Sequence, residues 1–222
     1  MNNILIIGAS RGIGLEFVRQ YRDAGAQVTA TARSTTGLVV VQAHGASALM
    51  LDVSAAASVA AFAPLLAGQH FDTVVLNAGV YGPHSAALEP PTANEFDAVM
   101  HTNVLGAMQV LPLLAGHLAP GARVAVISSR MGSIGLRASA SGWLYRASKA
   151  ALNSVLKDVS ITLAGQAICV AFHPGWVRTD MGGSGADLDV AHSVATMRGT
   201  LAGLHATDNG GFFNHDGQTL AW

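Results

Sequence analysis

The stretch "NILIIGASRGIGLEFVRQYRDAG", Asn3 to Gly25, decides the fold. It opens as an unbroken apolar run, NILIIG (3–8), short and closed by glycine, which predicts a buried strand. Glycines follow at 8, 12 and 14, and the next residues place Ile13, Phe17 and Tyr21 on one helical face. A strand that turns through glycines directly into a helix presents the backbone N–H groups of the helix start to an anion. Glycine there lets a pyrophosphate approach those groups closely. The spacing Gly-x3-Gly-x-Gly differs from the common Gly-x-Gly-x-x-Gly fingerprint, yet it stands in the strand-to-helix context that such a fingerprint requires.

The same alternation continues outward from this unit. Further strands are expected at 27–32, 48–53, 72–79, 123–129, 168–174 and 211–214, with helices at 12–24, 55–67, 93–118, 145–164 and 189–203. Near-continuous Val/Ile/Leu strands alternating with helices imply a parallel sheet covered on both faces. The fold class is therefore α/β, a Rossmann-type doubly wound sheet of about seven strands. Ligands are expected at the carboxyl ends of the strands. No linker or change of composition divides residues 1–222, so one domain is expected.

Half of the residues are hydrophobic and 11% are charged, enough for a large core and far from a disordered composition. Ten Arg and two Lys against thirteen acids leave a net charge of −1, with no basic stripe to follow a nucleic-acid backbone. The first residues lack the pattern of a secretory signal, and no apolar run approaches a membrane span of about 18 residues or more. A cytoplasmic protein with neither nucleic acid nor membrane as partner is expected. The single cysteine, Cys169, lies in the apolar run ICVAF and reads as core. Nine histidines are scattered, with no pair at i, i+4 and no completing Cys or carboxylate set, so no metal site is expected.

Dinucleotide folds that prefer NAD place an acid at the end of the second strand, whereas a nearby arginine accommodates the 2′-phosphate of NADP. Here that strand ends in Ala32 and Arg33, and Arg11 lies inside the glycine turn. A guanidinium suits phosphate, so NADP(H) is the expected cofactor.

The stretch "GWLYRASKAALNSVL" (142–156) sets Lys149 four residues after Tyr145 at the start of a helix, where the two share a face. An ammonium about 4 Å away at an effective dielectric of about 20 favours the phenolate by about 4 kcal/mol. The expected result is a phenol brought closer to neutral pH, where general acids work best.

With GASRGIG, NAG (77–79), Asn103, ISS (127–129), YRASK (145–149) and HPGWVRTD (173–180) in order, the chain resembles the short-chain dehydrogenases/reductases from Ile4 to Trp222. SSRMGSIG through YRASKAALN, with the ending GGFFNHDGQTLAW, is most similar to the branch of C-factor (C-signal) proteins and Sniffer-like carbonyl reductases. The resemblance implies a catalytic set of Asn103, Ser129, Tyr145 and Lys149. Tyr145 would protonate the carbonyl oxygen and Ser129 would polarise the carbonyl. Lys149 would lower the tyrosine pKa and bond the nicotinamide ribose, while Asn103 would interrupt its helix to hold a water linking Lys149 to solvent. Ser129 lies sixteen residues before Tyr145, a longer spacing than is common in the family, so Ser128 or Ser133 could present the hydroxyl instead. The implied cofactor contacts are Gly8, Ser10, Arg11, Gly12, Ile13 and Gly14 in the turn, Arg33, and Asp52 with Val53 near the adenine. Asn77, Ala78 and Gly79 would lie beside the adenosine ribose, and Tyr145, Lys149, Pro174, Gly175, Val177 and Thr179 near the nicotinamide.

Tyr81, His84, Met131, Trp143, Trp176 and Met181 fall in loops at the carboxyl ends of strands and are candidates for lining a pocket for an apolar or aromatic carbonyl compound. The helices 103–118 and 149–164 show apolar residues on more than one face, which favours a homodimer through them. The expected activity is NADPH-dependent reduction of a small aldehyde, ketone or quinone. The alternative is an NADP(H)-binding regulatory or signalling protein with little turnover, as the C-factor resemblance permits.

Overall fold

A computed structural model describes residues 2–85 and 88–222; Met1, Ala86 and Ala87 lie outside the described residues. Seven parallel strands form one sheet: β1 (Asn3–Ile7), β2 (Gln27–Ala32), β3 (Ser47–Met50), β4 (Phe71–Leu76), β5 (Leu118–Ile127), β6 (Ala167–His173) and β7 (Phe212–Asn214). Their order is β3-β2-β1-β4-β5-β6-β7, every neighbouring pair being parallel. The order reverses between β1 and β4, which opens a crevice at the carboxyl ends of those strands.

The helices are α1 (Gly12–Asp23), α2 (Thr35–Ala43), α3 (Ala56–Phe62), α4 (Ala93–Met100), α5 (Gly106–Leu114), α6 (Trp143–Thr162) and α7 (Val190–Gly203). The two-residue period of the strands divides their side chains between two cores. Leu5 and Ile7 of β1 join Val74, Val126 and Cys169 under α3, α5 and α6, whereas Ile4 and Ile6 join Val75, Ala125 and Phe172 under α1, α2 and α7. Cys169 is core, as its apolar run predicts, and burial pushes its thiol up to about 12.

Three expectations change. The helix α2 is not predicted, because TTGLVVVQA carries a glycine and a run of valines that disfavour a helix locally. It forms because Ser34 Oγ accepts from Gly37 N at 3.2 Å and Val41 is buried in the core. The third strand stops at Met50, so Asp52 lies in the turn beyond it, where its carboxylate accepts from Ser54 N at 2.9 Å. Finally, Ala93–His117 is one helical stretch long and apolar enough by composition to cross a membrane, with a mean hydropathy of 1.3. In this fold it is a central helix: Val104, Ala107, Val110, Leu111 and Leu114 pack into the core.

That stretch begins with a capping box, Thr92 Oγ1 accepting from Glu95 N while the Glu95 carboxylate accepts from Thr92 N. It then widens into a single π-helical turn, His101–Leu105, before resuming as α5. Turns of this kind commonly mark functional positions, and this one holds Asn103.

Candidate active site

The glycine turn is shaped by close approach. Gly8 has φ +84°, and a Cβ on it would lie 2.8 Å from the Ala78 backbone; a Cβ on Gly14 would lie 2.2 Å from Gly8 O. Asn77 Nδ2 donates to Gly8 O at 2.7 Å, tying the loop after β4 to the turn after β1. These contacts hold two backbone segments against each other at the crevice, which is why the NAG and glycine motifs occur together.

A cavity of about 630 Å³ fills the crevice. Along the strand order its wall carries Arg33 and Asp52 beyond β2 and β3, Ser10 and Arg11 beyond β1 with Thr179 against Gly12, and Tyr145, Lys149 and Pro174 on the side of β5 and β6. Gly8, Gly12, Ile13, Val53 and the loop Asn77–Gly79 line the middle. Gly14, Gly175 and Val177 stand outside the lining. Gly14 lets α1 sit on the turn, Gly175 turns with φ +85°, and Val177 is buried in a bridge to Leu188. Asp180 also lines the cavity, and its carboxylate accepts from Arg11 Nη1 at 2.9 Å across the mouth. Sequence reasoning does not find that ion pair, since 169 residues separate its partners.

Of the four residues of the expected catalytic set, Tyr145 and Lys149 line the cavity, whereas Asn103 and Ser129 lie buried outside its lining. Asn103 is 2% exposed, and its amide pairs with Val80 like a neighbouring strand. Its Oδ1 accepts from Val80 N at 2.8 Å, and its Nδ2 donates to Val80 O at 2.8 Å and to Ser148 Oγ at 2.9 Å. The side chain is therefore spent on structure. Lys149 Nζ donates to Ile127 O at 2.8 Å, and a Cβ on Gly79 would sit 3.4 Å from Nζ.

Of the three candidate serines, Ser129 is the one whose hydroxyl is near enough to the Tyr145 phenol to hold its pKa down, and it accepts from Met131 N at 3.1 Å. Ser128 donates to Asn153 Oδ1 at 2.5 Å and Ser133 to Ala221 O at 2.7 Å. Both alternatives donate their hydroxyls elsewhere, although Ser128 rather than Ser129 lines the cavity.

The electrostatics differ from the expectation. Burial pushes the Tyr145 phenol up to about 12, opposed by the Ser129 hydrogen bond and reinforced by Tyr81. Lys149 lies 5.6 Å from the Tyr145 ring centroid, and desolvation pushes its own ammonium down to about 8. Burial is the largest cause of both shifts. The phenol is therefore a firm proton holder at neutral pH.

Over Tyr145 lies an aromatic shelf. Tyr81 stacks on it with centroids 4.6 Å apart, and His84 stacks on Tyr81 at 4.7 Å. Gly142 (φ +66°) lets this shelf close, because a Cβ there would meet Tyr81 Oη at 2.6 Å and Met131 Cε at 3.2 Å. Met181 lines the cavity. Trp143 and Trp176 tie down loops, their Nε1 atoms donating to Glu89 O at 2.8 Å and to Gly182 O at 2.9 Å. Among the described residues no group of three or more His, Cys, Asp or Glu could hold a metal ion.

Comparison with known proteins places this geometry. The family model of short chain dehydrogenases matches residues 2–187. The C-signal protein of Myxococcus xanthus is 36% identical over 165 residues, which cover 73% of this chain and 99% of that protein. The carbonyl reductase Sniffer of D. melanogaster superposes with a TM-score of 0.86 at 33% identity, covering 100% of both chains. A carbonyl reductase of Pseudomonas aeruginosa PAO1 in complex with NADP gives the same TM-score, identity and coverage. The chain belongs to the short-chain dehydrogenase family and is an oxidoreductase of that family.

Proposed function

We propose that the protein binds NADP(H) and reduces the carbonyl of a small aldehyde, ketone or quinone to an alcohol. The observation that carries this reading is one cavity whose lining includes both the Tyr145 phenol with Lys149 and the guanidiniums of Arg11 and Arg33. The residues fit the cofactor: exposed backbone and close-packed glycines suit a pyrophosphate, two guanidiniums suit a 2′-phosphate, and the second strand ends without an acid. The NADP carried by the P. aeruginosa relative supports the same assignment. When bound, the reduced nicotinamide supplies the hydride to the carbonyl carbon.

The chain's own groups manage the oxygen. Ser129 and Tyr145 donate hydrogen bonds to the carbonyl oxygen as negative charge develops, and the Tyr145 O–H delivers its proton. Lys149, fixed by Ile127 O, orients the cofactor ribose and replenishes the phenol through a water held at the Asn103 carbonyl. The Tyr81–His84 shelf and Met131 favour a flat or aromatic substrate. The test is a panel of aldehydes, ketones and quinones assayed by oxidation of NADPH and, in parallel, NADH. NADPH-dependent turnover supports the reading, and binding without turnover on any of them favours the regulatory role suggested by the likeness to C-signal.

The pH profile follows from the shifted groups. Tyr145, held near 12, stays protonated across the working range, whereas Lys149, held near 8, loses its proton above that value. Reductive kcat/KM is expected to be level below about pH 8 and to decline above it. A profile still level at about pH 10 would mean that the Lys149 ammonium neither orients the ribose nor replenishes the phenol.

The protein is further proposed to work in the cytoplasm as a homodimer through the helices 103–118 and 149–164. The fold buries Val110, Leu111, Leu114, Leu152, Val155 and Leu156 but leaves Leu105, Met108 and Ile161 exposed on these helices. Sedimentation should show a dimer, and Met108→Asp should shift it towards monomer without loss of helix content. A monomeric wild-type protein would refute this interface.

A further inference from the structure

At the end of the sheet opposite the catalytic crevice lies a second cavity, of about 700 Å³. It opens between the last turn of α1 and the face of α7, over the first half of β4 and the middle of β5. Thr73 and Arg123, paired partners on those two strands, form its floor. Tyr21 comes from α1 and Arg198 from α7. The Arg198 guanidinium lies over the Tyr21 ring, 4.5 Å from its centroid, a geometry that fixes the cation's plane.

Neither arginine has an anion. Among the described residues the ion pairs are Arg11–Asp180, Arg19–Glu16 and Arg19–Asp23, and none includes Arg123 or Arg198. Arg198 Nη1 donates to the neutral amide oxygen of Gln20 at 3.1 Å, and Arg123 Nη2 reaches Ala202 O at 3.3 Å. The nearby carboxylate of Glu16 is already taken by Arg19 and by Gln20 Nε2. The Nε atoms of both Arg123 and Arg198 are buried without a hydrogen-bond partner. Two cations converging on one cavity with buried donors unspent are unfavourable unless an anion joins them. Two guanidinium forks and two hydroxyls offer more donors than a carboxylate can accept, and they match the several oxygens of a phosphate.

We infer that this cavity is a second binding site, separate from the catalytic crevice, that holds a phosphate group between Arg123 and Arg198. Burial raises the Tyr21 phenol above its ordinary value even though both guanidiniums lower it, so Tyr21 remains an O–H donor at neutral pH. The volume exceeds that of a bare ion and lies in the range of small-molecule sites. The walls beside Arg198 are small residues, Ala195 and Gly199, so the fitting ligand is a phosphate ester with a small organic part.

The test follows the arginine Nε–H resonances of 15N-arginine-labelled protein during titration with inorganic phosphate and with phenyl phosphate, at ionic strength held constant with chloride. It is run on NADP-saturated protein and on the Arg11→Ala/Arg33→Ala double variant, so that binding in the catalytic crevice is separated from binding in the second cavity. Saturable shifts of the Arg123 and Arg198 signals in both preparations are expected, with affinity falling at least tenfold in Arg123→Gln and in Arg198→Gln. Arg198→Lys, which keeps the charge over Tyr21 but loses the fork, should fall between wild type and Arg198→Gln and shows that the loss is not unfolding. Tighter binding of phenyl phosphate identifies an ester as the ligand, and equal binding identifies the free ion; either supports the site. Absence of saturable shifts, or affinity unchanged in both glutamine variants, overturns it.

Discussion

Tyr145→Phe is expected to lower reductive turnover by about 10²- to 10⁴-fold, the range contributed by a positioned general acid, while leaving NADPH binding nearly unchanged. The two effects separate because the substitution removes one oxygen and little else. Tyr145 is 8% exposed, and its ring is held by stacking on Tyr81 at 4.6 Å, contacts a phenylalanine keeps. Lys149 keeps its bond to Ile127 O, so the ribose end of the pocket stays in place. Ser129 alone would then face the developing oxyanion, with no proton to deliver at the required moment. Single-turnover kinetics with NADPH, together with cofactor binding followed by nicotinamide fluorescence, would measure both quantities. A loss smaller than about tenfold would take Tyr145 out of the acid's role. A loss of NADPH binding as large as the loss of turnover would make its part structural.

The proposed acid, Tyr145, was legible because its motif is local, whereas its electrostatics were not. Spacing places Tyr145 and Lys149 on one helix face, but only packing reveals that both are buried under the Tyr81 shelf and the loop after β4. Desolvation depends on every neighbour, so the simple attraction of an i, i+4 pair gave the wrong direction for the phenol. Asn103 shows the same division. Its place in the helix was readable, yet its amide partners, Val80 and Ser148, come from segments 23 and 45 residues away. The alternation of β1, β4, β5 and β6 was plain in the sequence because buried parallel strands are apolar on both faces. The helix α2 was hidden because its stability comes from the Ser34 cap and the burial of Val41 rather than from helix-forming residues.

That hidden helix bears on the second large effect. Removing Arg11 and Arg33 together is expected to weaken NADPH binding by about 3 kcal/mol, roughly a hundredfold, and to change NADH binding little. Arg33 directly follows β2, and the start of α2 packs against the end of that strand and the glycine turn. A Cβ on Gly37 would meet Ala32 Cβ at 2.8 Å and Ser10 Cβ at 2.9 Å. The packing that hides α2 from sequence therefore brings Arg33 and Arg11 to one rim of the crevice. Both are exposed, so their grip on a 2′-phosphate is partly screened and should weaken as salt is raised. Arg11 already holds Asp180, but that pair is exposed at 70% and 74%, and exposed pairs contribute about 1 kcal/mol or less. A doubly charged phosphate can displace it, and Asp180→Asn should therefore tighten NADPH binding by roughly two- to fivefold. Dissociation constants for NADPH and NADH in wild type, the double variant and Asp180→Asn would check the whole argument. Equal losses for both cofactors in the double variant would mean that the arginines serve the pyrophosphate rather than the 2′-phosphate, and the preference for NADP(H) would need another source.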